Sequence, residues 1–175
     1  PRGAEVRAAA ARCVARVIDG ATLDSALAEH SADLPARDLP LARELCAGTL
    51  RHFQRLDAVL MELLDRPLRR RDGEVRALAL IGFYQLAELR IPAHAAVSAT
   101  VDAVALLHRH QARGLLNALL RRFQREGENV IAGLDVAARF AHPQWLWSAL
   151  DAHWPAQRDA IVQANNSRPP MTLRV

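Results

Sequence analysis

The 175-residue sequence has no lysine; all 23 basic residues are arginine. A GC-rich coding sequence is enough to explain that preference. Because arginine stays protonated far above neutrality, the pI reaches 10.3 on a formal charge of only +4, and net charge alone argues weakly for an anionic partner. Cysteine is scarce. Cys13 and Cys46 are too few for a disulfide framework, and no Cys/His spacing suits zinc. Both sit among apolar neighbours in helical patterns, where cysteine behaves as a small buried hydrophobe. Aromatic residues, at 5%, are too few for a row of base-stacking platforms. No long apolar run exists: Ala77 to Leu89 is too short to span a bilayer and contains Gln85 and Glu88. A basic leader followed by an apolar stretch is also missing, which points to a cytoplasmic protein without a membrane partner. There is no glycine-rich phosphate loop, G-x-S-x-G, dinucleotide fingerprint or paired metal ligands. The expectation is that these residues run no reaction and hold no metal or cofactor. The start at Pro1 and the end at Val175 both read as cuts from a longer chain.

What is present is helical. Hydrophobic residues make up 51% and charged ones 24%, which excludes disorder. Val6, Ala9, Ala10, Cys13 and Val17 form one stripe, with Arg12 and Arg16 beside it, and Gly20 ends that helix. A short helix is expected over Asp24 to Glu29. Another is capped by Asp38 and continues through Leu41, Leu45, Gly48, Thr49, His52 and Phe53, and a further one runs from Leu56 to Leu64. Arg66 to Gly73 reads as a loop, broken by its proline and glycine. Glu74 to Leu89 is apolar on every side, the pattern of a central helix surrounded by others. Helices follow over Ala95 to Leu107 and Ala112 to Gln124. At Glu126-Gly127-Glu128-Asn129 the composition shifts, suggesting a boundary near 127. Beyond it come a short helix from Asp135 to Phe140, one opened by Pro143 and one opened by Pro155. Arg168-Pro169-Pro170 forces extended backbone, and Met171 to Val175 alternates like the first strand of a truncated next domain. The fold class is an all-α helical bundle. Residues 1–127 form its main domain, 128–166 a helical linker subdomain and 167–175 the start of the next region.

Charge is unevenly distributed. Between Ala103 and Arg125 there is no acidic residue, yet there are five arginines and two histidines. On a helix, Leu115, Leu116, Leu119, Leu120 and Phe123 gather on one side, while Arg113, Asn117, Arg121 and Arg125 fall on a neighbouring arc facing away. That row of guanidinium forks suits phosphate oxygens, and Asn117 can hydrogen-bond a base or sugar. The competing reading is a solvated helix face. Arg66, Arg69, Arg70 and Arg71 make a second basic segment, and Arg2, Arg7, Arg12 and Arg16 a third strip, partly offset by Glu5. Trp145, Trp147 and Trp154 cluster in the last third and suit a helix or domain contact.

The phrases CAGTLRHF (Cys46 to Phe53), IGFYQLAELRIPAHAAV (Ile81 to Val97) and RGLLNALLRRF (Arg113 to Phe123) resemble the NusB-type RNA-binding fold. HPQWL (His142 to Leu146) and ANNSRPPMTLRV (Ala164 to Val175) resemble the link that follows this fold in the bacterial RsmB (Sun/Fmu) family of ribosomal RNA cytosine-5 methyltransferases. The resemblance implies an N-terminal module that binds ribosomal RNA for a downstream domain using S-adenosylmethionine, with the catalytic cysteines and cofactor loop in that domain. Cys13 and Cys46 match no such motif. The RNA-contacting residues it implies are Arg7, at the N-terminal basic helix, with Arg51, Arg113, Arg121 and Arg122 inside the matching phrases; Asn117 and Arg125 join them from the helical arc. NusB relatives also pair with a small ribosomal protein or with themselves, so a protein-interaction module and a stand-alone antitermination factor are the alternatives.

Overall fold

The computed structural model describes residues 3–170, which form ten α-helices, three short 3-10 turns and no strand. The strand expected at Met171 to Val175 lies outside the described residues. The helices are α1 (Ala4–Ile18), α2 (Leu23–His30), α3 (Leu39–Arg51), α4 (Phe53–Leu63), α5 (Gly73–Glu88), α6 (Ala93–Leu106), α7 (Arg113–Gly133), α8 (Val136–Arg139), α9 (Gln144–His153) and α10 (Arg158–Asn166).

The central helix is α5. Val75 and every residue from Ala77 to Gln85 are buried, and α1, α3, α4, α6 and α7 pack around it. Its close neighbours are specific. A Cβ at Gly48 of α3 would stand 2.0 Å from the Tyr84 ring, so α3 and α5 approach only because that Cβ is missing. α1 ends in a Schellman turn: Gly20 takes φ +105°, its amide donates to Val17, and the Ala21 amide donates to Arg16. Thr22 then caps α2 by accepting from the Ser25 amide at 3.2 Å.

Several boundaries differ from expectation, each for a local reason. Asp38 precedes α3, but its side chain caps nothing, because residues Ala36–Asp38 already form a 3-10 turn. His52 breaks the helical run, so Phe53 opens α4 instead of closing α3. Pro155 lies in a turn, and α10 begins only at Arg158, whose amide donates to Trp154 O at 2.8 Å.

The largest difference is in α7, which runs straight through Glu126–Asn129 to Gly133. A mid-helix glycine costs about 1 kcal/mol. Here Gly127 is buried against the Phe123 ring, and Val130, Ile131 and Leu134 return to the main core, which outweighs that cost. A second, smaller core follows, made of Ala137, Trp147, Leu150 and Val162 with Phe140 stacked on Trp147 at 5.3 Å. Trp145 and Trp154 point outward, 72% and 53% exposed, so only Trp147 makes the expected helix contact.

The motifs HPQWL and ANNSRPP meet in this second core. His142 is buried, with Nδ1 2.7 Å from Phe140 O and Nε2 3.1 Å from Asn165 Nδ2, an arrangement that places the ring hydrogen on Nδ1. Asn166 Nδ2 donates to the same Phe140 carbonyl at 2.7 Å. The two motifs therefore form a clasp that fastens the end of α10 to the α8–α9 turn.

Candidate nucleic-acid interface

The proposed arc on α7 exists. Arg113, Asn117, Arg121 and Arg125 are all exposed, while Leu116, Leu119, Leu120 and Phe123 face the core. Successive members of the row are about 6 Å apart along the axis, four residues at 1.5 Å each. Carboxylates reach part of the row. Arg113 pairs with Asp102 at 3.0 Å, Arg122 with Glu126 at 2.9 Å, and Arg125 with Glu126 at 3.8 Å. Among the described residues Arg121 meets no carboxylate, only Gln124 Oε1 at 3.5 Å. Exposed pairs of this kind are worth 0 to about 1 kcal/mol, so a phosphate can replace the carboxylate at little cost.

The structure adds a surface that sequence spacing gave no means of seeing. Arg122 Nη1 donates to Leu63 O at 3.1 Å, at the end of α4, and Arg109 Nη2 donates to Arg71 O at 3.2 Å, just before α5. Arg109 also lies 3.7 Å from Glu74. The loop between Leu63 and α5 is thereby held at both ends, by α7 and by the turn that precedes it. Its arginines, Arg66, Arg69, Arg70 and Arg71, are all exposed and make no ion pair among the described residues. Two basic segments more than 40 residues apart in sequence thus become neighbouring parts of one surface. Their link is Arg109, and the only hint of it was its place inside the acid-free stretch.

Two expected contact residues lie elsewhere. Arg7, expected on an RNA-facing strip, is buried at 5% exposure. Its Nε and Nη2 donate to Gln85 Oε1 at 2.9 and 2.5 Å, and its Nη1 donates to Gly3 O at 2.8 Å. Gln85 in turn donates to Ile81 O and Thr100 Oγ1, so the guanidinium ends a buried chain through α1, α5 and α6. Burial holds the Arg7 pKa below its ordinary value. Arg7 is a core residue, because α1 is buried on nearly all sides and has too little outer face to present it.

Arg51 is half-buried at the α3–α4 corner, next to His52. Arg55 bonds Glu88 there and approaches His52 Nδ1 at 3.2 Å, while Tyr84 donates to Glu44 at 2.7 Å. Burial, then repulsion from Arg55, lowers the His52 pKa. Burial and the bond to Glu44 raise that of Tyr84. Arg55 and Glu88 of this corner line one cleft with Arg125, the last member of the arginine row.

Among the described residues, no group of three His, Cys, Asp or Glu side chains could hold a metal, and no helix is long and apolar enough to cross a membrane. Cys13 and Cys46 are buried and donate to Ala26 O and Ala10 O. The neighbouring Cys13 sulfur, toward which the Cys46 thiol acts as donor, and then burial raise the Cys46 pKa, the opposite of what a nucleophilic thiol needs.

An all-α bundle around one apolar helix, with a basic outer helix, is what the geometry defines. The sequence model of the NusB family matches residues 4–125, and the chain belongs to that family. Residues 142–175 match the ferredoxin-like domain of RsmF/B-like methyltransferases, so the clasp motifs fall within that second match. Relatives named "Ribosomal RNA small subunit methyltransferase B" align along 97% of the chain. The protein from Pseudomonas putida is 49% identical, that from Vibrio vulnificus 42% and that from Citrobacter koseri 41%. The chain spans about two fifths of the length of these relatives (39%, 41% and 40%).

Proposed function

We propose that these helices bind ribosomal RNA and position it for a methyltransferase domain of the same protein, one that methylates cytosine C5 with S-adenosylmethionine in the cytoplasm. The observation that carries the reading is the joined basic surface of α7 and the Arg66–Arg71 loop, on a NusB-family chain similar along its length to ribosomal RNA methyltransferases. The described helices do not suit the cofactor, since they offer no glycine-rich turn after a strand. Their part is to hold the strand. A catalytic pocket sees one extruded base and discriminates little among many cytosines, so a second grip on flanking RNA raises the effective concentration of the right one. Phosphate contacts from Arg113, Arg121, Arg122 and Arg125 supply affinity and orientation, and Asn117 is the side chain of that row able to read a base or sugar. Packing of Val130, Ile131 and Leu134 against the main core supports reading the RNA-binding unit as extending to the Leu134–Asp135 turn.

The test is a salt titration of single-stranded ribosomal RNA binding. Each phosphate contact contributes about 0.7 to the slope of log affinity against log salt. Arg121→Ala with Arg125→Ala should lower that slope by roughly 1.4. Arg122 is left intact because it anchors Leu63. A slope that does not move rejects the α7 face.

A further inference from the structure

Beside the arginine loop lies a cleft of about 270 Å³ between the end of α1, the second half of α4, the loop and the start of α5. Its walls are apolar: Ile18, Leu60, Met61, Leu64 and Leu68. Met61 is 50% exposed, a large side chain that the core does not use. The rim is cationic. Arg76 is already engaged, bonded to Asp57 at 2.7 Å and lying over the Phe53 ring at 5.6 Å. Arg69 and Arg70, by contrast, are exposed and make no ion pair among the described residues. Asp19 is the one carboxylate on the wall.

We infer that this cleft takes a single nucleobase from the bound strand, with flanking phosphates on Arg69 and Arg70. The inference rests on the RNA-binding reading above and adds a base-reading subsite to it. The size is right for one base and too small for a drug-sized ligand. The chemistry suits a base as well: an apolar wall with a thioether favours an aromatic face, and guanidinium forks at the mouth favour phosphate. Continuity of the rim with the basic loop argues for the nucleotide over an apolar peptide side chain. Two larger clefts fit less well. The one between α5, α6 and α7 sets Glu88 and Glu128 against Arg55 and Arg125, and Arg55 is already bonded to Glu88. The one between α2 and α3 offers a single arginine, Arg43.

Asp19 gives the subsite a preference. A carboxylate accepts from the exocyclic amine of cytosine, adenine or guanine, whereas uracil offers only its N3–H, flanked by two carbonyls that oppose the carboxylate. The strand should therefore be favoured when a cytosine, rather than a uridine, reaches the cleft.

Gly73 allows a clean test. It lines the cleft with ordinary helical φ of −55°, and a Cβ there would meet no atom within 4 Å. Gly73→Leu should fold as well as the parent, fill the cleft and weaken binding of a fluorescein-labelled oligocytidylate by roughly tenfold, read by anisotropy. Gly133→Leu, also in open space but at the far end of α7, should leave affinity unchanged. The parent chain should bind the same strand with abasic sugars at alternate positions about as weakly as Gly73→Leu binds the intact one. Asp19→Ala should erase the preference for oligocytidylate over oligouridylate. If Gly73→Leu binds like the parent, or the abasic strand binds like the intact one, the subsite is refuted while the RNA reading stands. If no strand binds even at about 50 mM salt, the RNA reading fails and takes the subsite with it.

Discussion

Replacing Arg7 should destabilise the fold without touching RNA affinity, the reverse of what a surface arginine would do. The side chain makes three bonds, two of them to Gln85 Oε1, which has no other donor among the described residues. Arg7→Ala leaves that oxygen buried and unpaired, removes the bond to Gly3 O at the start of α1, and opens a cavity beside α5. Breaking a buried charged interaction from one side costs about 3–5 kcal/mol. At roughly 2–4 °C per kcal/mol for a chain of this size, the melting temperature should fall by about 10 °C. Urea unfolding would measure the loss, and anisotropy on the still-folded fraction would measure RNA affinity. Arg7→Met combined with Gln85→Leu removes both partners together and should return to within about 1 kcal/mol of the parent. A single-variant loss below about 1 kcal/mol would mean that the guanidinium is solvated. A loss of RNA affinity at unchanged stability would return Arg7 to the binding surface.

Two further outcomes follow from the α3–α5 contact. Gly48→Ala forces a methyl into the Tyr84 ring, which Glu44 and the stacked His52 hold in place, and should cost about 1–3 kcal/mol in urea unfolding. His52 has a folded pKa below its ordinary value of 6.5 because of burial first and Arg55 second. The unfolded chain therefore takes up a proton that the folded chain refuses. The contribution of His52 is complete above pH about 6.5 and declines as pH falls through the lower folded value. The difference in stability between parent and His52→Gln should shrink as pH falls across that window; a difference independent of pH would dismiss the assignment.

The sequence was most readable where one physical signal acted alone. The all-round apolar pattern of Glu74 to Leu89 identified the central helix to within a residue at each end, because burial on every side leaves no competing interpretation. The reading failed where local and tertiary terms opposed each other. Gly127 and its polar neighbours look like a break, and only the distant packing of Val130 and Ile131 keeps α7 intact. Cys13 and Cys46 needed no such help, since both their neighbours and their spacing indicated the core. Pro155 misled for a different reason: proline tolerates a first helical turn but also a simple turn, and its φ suits both.

Arginine was the hardest residue to interpret, and the absence of lysine explains why. In a sequence with both cations, lysine usually takes the solvated positions, and an arginine then stands out as a geometric choice. Here one residue type fills three different positions. Arg7 ends a buried hydrogen-bond chain; Arg12, Arg109 and Arg122 reach across the surface to the carbonyls of Leu106, Arg71 and Leu63. Arg69, Arg70 and Arg121 project into solvent. A guanidinium suits the first two positions because its planar fork spreads several donors over fixed directions. The same clasping arginines hold the loop beside α7, so the surface that presents phosphate-binding groups is assembled by members of the same residue set. Exchanging exposed arginines for lysine should preserve much of the electrostatic attraction. The same exchange at Arg109 or Arg122 should let the loop drift from the helix, because an ammonium cannot serve carboxylate and carbonyl together in one fixed plane.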